Sequence, residues 1–304
     1  MMKDFSIGVI GGSGIYEIDG LEILGEKFID TPFGMPSAEV VLASVAGKMV
    51  AFIPRHGKGH AFNPSKVNYQ ANIFALKSVG VKNIISLSAV GSLKEELAPR
   101  DFVIPSQIID KTKYRTGTFF DDMAVHAGFA EPFCNKLGNV IEKAASEMDI
   151  TVHRGGTYVC MEGPLFSTKA ESELHRSWGA SVIGMTAIPE AKLAREAEIC
   201  YATIALVTDY DVWKDETVSV EAVIETLNEN SANAKALLKK VICGINLDND
   251  HSSLSEQRRG KAQCCCQDAL RNAVMTAPEL ITKETRTKLA PLLKKYFPVD
   301  ESES

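Results

Sequence analysis

The sequence predicts a single α/β domain with a mixed central β-sheet flanked by helices, on two patterns. Short apolar runs rich in Val and Ile recur along the chain, close to continuous, as strands buried on both faces require. Between them lie segments whose apolar residues recur every three or four positions, the period of an amphipathic helix. Strands alternating with helices build layered α/β folds. A chain of 304 residues could hold one large domain or two ordinary ones. No internal repeat is present and composition shifts only once, so one domain spanning 1–304 is expected.

In chain order, strands are expected at Phe5–Ile10, Glu39–Val45, Met49–Ile53, Ile84–Val90, Phe102–Ile109, Tyr158–Met161, Ser181–Met185 and Tyr201–Val207. Helical spacing marks Asn68–Val79, Pro132–Met148, Lys169–Trp178, Pro189–Ala197 and Val218–Ile242, the last opened by Ser219 and Glu221. The shift in composition falls at Asn246–Gln263, a polar stretch that reads as an exposed loop. Cys264–Thr276 and Lys283–Tyr296 then read as two C-terminal helices within 264–299, followed by a frayed acidic tail.

Composition excludes several classes. Lysine and arginine number 33 against 39 acidic residues, a formal charge of −6, so a reader of DNA or RNA backbone is disfavoured. A small anion is still allowed, because one or two arginines in a pocket can hold it. No apolar run approaches a membrane span, and the N-terminus, with Asp4 and a glycine-broken apolar stretch, makes a poor signal peptide. The seven cysteines are odd in number, scattered except at Cys264–Cys266, and show no C-x-x-C spacing. Reduced thiols in a cytoplasmic protein are the simplest reading, with no metal and no disulfide framework. His56 and His60 are four apart, but the glutamate of H-E-x-x-H is missing, so loop chemistry is expected there.

Five segments at the ends of expected strands could carry chemistry. Gly8 to Gly14 (GVIGGSG) can form a nest of backbone N–H groups suited to phosphate, or a plain turn. It is no dinucleotide fingerprint, because Glu17 stands where the third glycine would fall. Arg55 and His56 lie in PRHGKGH, where a rigid guanidinium fork matches phosphate oxygens, although for this segment alone a solvated basic loop is the slightly better reading. Ser88 and Ala89 offer a hydroxyl and a backbone donor. Thr186 precedes a helix that Pro189 can open, and Glu190 reads as an acid in the first turn. Asp209 and Asp211 are two apart, so in extended backbone they would share a side and raise one another's pKa. Ligand sites of open α/β sheets gather at such strand ends.

With GGSG, Arg55-His56-Gly57, Pro64–Asn72, Glu162-Gly163-Pro164, Met185-Thr186 and Thr208–Asp211 in this order, the chain resembles the 5′-methylthioadenosine phosphorylases of the trimeric purine nucleoside phosphorylase family. The match runs from about Ser6 to about Val241. The resemblance implies phosphorolysis, in which phosphate attacks C1′ and releases adenine and 5-methylthioribose 1-phosphate. No cofactor is implied, since phosphate is a co-substrate. Phosphate would be held by Gly12, Ser13, Arg55, His56, Ser88, Ala89 and Thr186. Base and ribose would meet Phe166, Ser167, Met185, Thr208, Asp209 and Asp211, with Asp209 sharing a proton with N7 and Asp211 accepting from the 6-amino group. A 5′-methylthio pocket would be lined by Val220, Val223 and Ile224, with His126 reaching in from a neighbouring subunit of a homotrimer. The implied partners are thus nucleoside, phosphate and further copies of the chain, with no nucleic acid and no membrane; the implied location is the cytoplasm, the nucleus being a further one. Four positions depart from the family pattern: Ser13 and Ser88 stand for threonine, Gly184 for an asparagine, and Leu165 for an arginine.

Overall fold

The computed structural model describes residues 5–12, 17–214, 220–246 and 264–297. Among these, eleven strands form one mixed sheet. At its centre, β1 (Ile7–Gly11) pairs in parallel with β4 (Lys48–Pro54) and with β5 (Asn83–Ser92), which also pairs in parallel with β11 (Cys200–Asp209). β1 is buried throughout, and β11 is buried except at Asp209, so their near-continuous Val and Ile content follows from burial on both faces. β2 (Leu21–Lys27) and β3 (Val40–Val45) extend this body through an antiparallel meander onto β4. β2 is largely exposed at the sheet edge, so no apolar run announces it.

The expected strand at Phe102–Ile109 is two strands, β6 (Phe102–Ile104) and β7 (Gln107–Lys111). Pro105 lies between them and has no N–H to give a ladder, and the two halves take different partners. β6 pairs with β11 and with β8 (Val152–Arg154), while β7 pairs with β9 (Thr157–Met161). β10 (Val182–Gly184) joins β9 to the tip of β5, against which it runs antiparallel. Its C-terminal end therefore turns back towards the middle of β5.

The helices fall close to their expected places. α1 (Tyr69–Ser78) starts where the Asn68 side chain accepts from the Ala71 N–H at 3.1 Å. α2 spans Asn135–Ala145, and α3 (Lys169–Ser177) opens with a Thr168/Glu171 capping box. α4 (Ala187–Glu196) packs on α1 and β11, and α5 (Val220–Gly244) on α2 and β11. Two apolar cores cover the two faces of the sheet: one holds Phe74, Leu193 and Leu293, the other Leu137, Leu237 and Val241.

The C-terminal expectation needs correction. Cys264–Thr276 is not an α-helix; it holds one 3-10 turn, Cys266–Asp268, followed by turns that dock on the loop carrying His126. Lys283–Tyr296 divides into α6 (Lys283–Lys288) and α7 (Ala290–Leu293), with Pro291 at the start of the second. The expected polar loop lies, beyond Asn246, outside the described residues.

Candidate active site

The strand ends converge on a cavity of about 500 Å³. Gly12, Arg55, Ser88, Thr186, Asp209 and Met185 all line it, and so do His56, Ala89, Phe166, Thr208, Asp211 and Val223. Its lining includes donors for an anion and two carboxylates.

On the donor wall, Arg55 follows β4 and is 2% exposed. Its guanidinium is engaged by Glu190 of α4 through Nε and Nη2, and it also donates to Ser86 Oγ at 2.6 Å and to the Leu87 carbonyl at 2.9 Å. Glu190 is fully buried and accepts from the Tyr201 hydroxyl at 3.0 Å. It is the first-turn acid that the sequence predicts and, beyond that, a counter-charge held in the core. The pair leaves the wall nearly neutral, with Arg55 fixed in orientation.

Ser88 lies inside β5, not at a strand end, because β5 continues to Ser92. Its hydroxyl is 2.9 Å from that of Thr186 and 2.9 Å from that of Tyr158. Thr186 is the cap residue before α4, and its side chain makes no cap hydrogen bond, which leaves it turned to this cluster. Ser13 lies outside the described residues.

The Tyr158 hydroxyl explains one departure from the family pattern. A Cβ added at Gly184 would lie 2.0 Å from that oxygen and 2.7 Å from the ring carbon bearing it. The phenol thus occupies the space of an asparagine at 184 and returns a polar group to the same place. Gly184→Ala should destabilise the fold by about 1–3 kcal/mol through overpacking. A double-mutant cycle with Tyr158→Phe, read by denaturant unfolding, should recover part of that loss; strict additivity would contradict the clash.

His56 stacks on His60 with ring centroids 4.2 Å apart, and its Nδ1 lies 2.8 Å from the Phe62 carbonyl. That contact puts the proton of the neutral ring on Nδ1 and leaves Nε2 an acceptor. Burial first, and then the Arg55 charge, push the imidazole down to about 4. Between that value and the ordinary 6.5, the unfolded chain binds a proton that the folded chain does not. The contribution to stability is complete above the ordinary value and is lost as pH falls towards 4. Thermal unfolding scanned across that window should show the loss, and His56→Gln should flatten it.

At the carboxylate end the chain does not stay extended. A register shift between Val207 and Asp209 ends β11, and Asp211, with φ +51°, opens a 3-10 turn over Asp211–Trp213. A bulge and a tight turn therefore bring the carboxylates together, in place of strand alternation. Asp209 accepts from the Thr208 hydroxyl and from the Asp211 N–H, each at 2.7 Å. Burial raises its pKa, and the Asp211 charge adds to this while the two hydrogen bonds oppose it. Asp211 is likewise raised by burial, with Ser172 and His175 of α3 and Ser167 pulling the other way. Its Oδ2 is buried and lacks a hydrogen-bond partner among the described residues. Gly91 keeps room here, since a Cβ would sit 3.0 Å from Asp209 Oδ1.

Arg115 is a residue that sequence reading passed over. Its side chain is buried, donates to the backbone carbonyls of Met185 and Glu162, reaches Ile188 O at 2.7 Å, and pairs with the Glu162 carboxylate at 3.3 Å. It clamps the Met185 segment to the loop after β9. Leu165 on that loop is 82% exposed. No motif flags Arg115; an arginine among small polar residues in KYRTGT was its one signal.

The remaining expected residues are placed less directly. Phe166 is half-exposed at the cavity, and Ser167 lies behind it near Asp211. Val223 lines the cavity, Ile224 is exposed outside it, and the Val220 side chain is outside the described residues. His126 is exposed and does not line the cavity of its own chain.

Comparison with known proteins identifies the family. The model of the phosphorylase superfamily matches residues 6–242. A relative from Geobacter sulfurreducens, S-methyl-5′-thioadenosine phosphorylase, is 49% identical over 95% of this chain and 98% of its own. One from Nitrosopumilus maritimus with the same name is 47% identical over 90% of this chain and 99% of its own. A methylthioadenosine phosphorylase from an Antarctic soil metagenomic library superposes with a TM-score of 0.86 at 44% identity, covering 95% and 99% of the two chains. The Schistosoma mansoni methylthioadenosine phosphorylase in complex with adenine gives 0.75 at 37%, covering 79% and 91%. On these matches over nearly its whole length, the chain belongs to the phosphorylase superfamily, in the family of the S-methyl-5′-thioadenosine phosphorylases.

Proposed function

We propose that the cavity phosphorolyses 5′-methylthioadenosine, yielding adenine and 5-methylthioribose 1-phosphate, in purine and methionine salvage. One observation carries the reading: an anion-donor wall and a pair of carboxylates with raised pKa values face one cavity sized for a nucleoside and phosphate.

Phosphate sits among Arg55, the Ser88 and Thr186 hydroxyls, and the backbone near Gly12, Ser13, His56 and Ala89. One of its oxygens attacks C1′ as the C1′–N9 bond breaks and its electron pair passes to the purine. The ribosyl group carries positive charge midway, which the phosphate held beneath it stabilises. The departing base needs a proton, and the carboxyl of Asp209 supplies it to N7. Asp211 accepts from the 6-amino group, and Thr208 holds Asp209 in place. Met185 underlies the ribose, while Phe166 and Ser167 border the base. No cofactor takes part.

The same carboxylates set the choice of base. A 6-amino group donates to a carboxylate, whereas a 6-oxo group presents an acceptor against it. In parallel assays with phosphate, methylthioadenosine should turn over at least tenfold faster in kcat/KM than inosine. Equal rates would remove the base-selection role from this pair.

For the 5′ end, Val223 supplies an apolar wall, with Val220 and Ile224 on the same helix. His126 of a second copy completes that wall in a homotrimer, a reading supported by its exposure and by its distance from the cavity of its own chain. No helix among the described residues is long and apolar enough to cross a membrane. The cytoplasm is the compartment we assign, on the cysteine pattern of the sequence.

A further inference from the structure

Four of the seven cysteines, scattered in sequence, converge in the fold. Cys134 immediately precedes α2, Cys200 opens β11, and Cys264 and Cys266 lie where the described chain resumes after Asn246. Their sulfur atoms all lie within 4.8 Å of one another, and those of Cys200 and Cys264 approach to 3.4 Å. We propose that these four side chains form a closed tetrathiolate site for a thiophilic divalent cation, zinc, against the sequence-based expectation of no metal.

The distances suit that use. Four thiolates bound to zinc at about 2.3 Å stand roughly 3.8 Å apart at the corners of a tetrahedron. The observed cluster needs shifts of a fraction of an ångström to a little over one to reach that geometry. Sulfur atoms joined in a disulfide would stand about 2.05 Å apart, well inside the 3.4 Å between the sulfurs of Cys200 and Cys264. An all-sulfur donor set also selects zinc over magnesium or calcium, which take oxygen.

Burial says what kind of site this is. Cys134, Cys200 and Cys266 are buried and Cys264 is half-buried, so the four sulfurs leave no face open for water or substrate. Loading would convert four thiols and one Zn²⁺ into a dianionic complex with release of four protons to solvent. Exposed Cys243 and Cys265 lie outside the cluster.

The cation would join chain ends that are otherwise linked by long stretches. Cys134 and Cys200 belong to α2 and the central sheet, while Cys264 and Cys266 start the C-terminal segment. That segment goes on to pair with the loop carrying His126: His126 N donates to Ala273 O at 2.8 Å, and Ala124 N donates to Thr276 Oγ1 at 2.7 Å. A metal at the cysteines would therefore anchor the strip on which that loop rests.

The test is metal content and thiol state of the full chain, purified under reducing conditions without chelator from zinc-supplemented cells. About one zinc per chain is expected, lost from the Cys264→Ser/Cys266→Ser variant and retained by Cys243→Ser and Cys265→Ser. Should the double variant fail to fold, stripped wild-type protein titrated with Co²⁺ gives a second reading. Thiolate-to-cobalt charge-transfer absorption saturating near one equivalent is expected, with protection of four thiols from alkylation. Less than a tenth of an equivalent of metal together with no cobalt absorption would overturn the proposal. So would peptide mapping that finds these cysteines joined as disulfides in the purified protein.

Discussion

Asp209→Asn should lower kcat for methylthioadenosine by about 10²–10⁴-fold, the range that a positioned general acid contributes. The amide is nearly isosteric and can still meet the Thr208 hydroxyl and the Asp211 N–H, so the fold should survive. It has no proton that it can yield to N7 at neutral pH. Because the loss arises only as the C1′–N9 bond breaks, kcat and kcat/KM should fall together, with KM little changed. A nucleoside whose leaving group departs without protonation supplies the internal control and should lose far less. Equal losses on both substrates would mean that Asp209 shapes the cavity and transfers no proton. The acid role rests on the environment of this carboxyl, since burial and the neighbouring Asp211 both favour its protonated form.

The second large effect is expected at Glu190, which does not line the cavity. Glu190→Gln would leave the Arg55 guanidinium, 2% exposed, without its counter-charge. Breaking a buried pair by removing one partner costs about 3–5 kcal/mol, so denaturant unfolding without phosphate should show a loss of that order. Phosphate should then reverse the ranking. In the wild-type chain the anion meets a wall already neutralised by Glu190; in the variant it meets an uncompensated cation. The rise in Tm on adding phosphate should therefore be larger in Glu190→Gln than in the wild type. An equal or smaller rise would show that Arg55 does not face the bound anion.

These two residues also illustrate what was legible in the sequence. Asp209 is visible because a Thr-Asp-Tyr-Asp run at a strand end is an unusual place for two carboxylates. Its geometry was not visible: the expected strand alternation is replaced by a bulge and a positive-φ turn at Asp211. Glu190 does stand in the first turn of α4, as its place in the sequence predicts, but its pairing with Arg55 is not legible there, since an acid in the first turn of a helix is ordinarily explained by the helix dipole. Only the fold brings α4 against the end of β4, where the acid meets Arg55. Tyr158 and Arg115 were invisible as site residues for the same reason. Each acts through a neighbour on another element, Ser88 in one case and Met185 in the other.

The fold itself was largely written in the apolar runs, because the central strands are buried on both faces and cannot alternate. The pattern fails where burial is one-sided or slight, as at the exposed edge strand β2 and the short β8. It also fails at Cys264–Thr276, where apolar spacing suggested a helix but the segment is held as turns by contacts with the loop around Ala124. The cysteine cluster is the extreme case, since four residues from three separate regions meet only after the sheet and α2 are assembled.

The reaction assigned to this cavity is transfer of a ribosyl group from a purine to phosphate. Its most direct test is incubation of the purified chain with methylthioadenosine and ¹⁸O-labelled inorganic phosphate, with products resolved by mass spectrometry. Adenine and a 5-methylthioribose phosphate are expected in equal amounts, with the label retained in the sugar phosphate and no adenine when phosphate is omitted. Adenine released at the same rate without phosphate, together with free 5-methylthioribose, would contradict it.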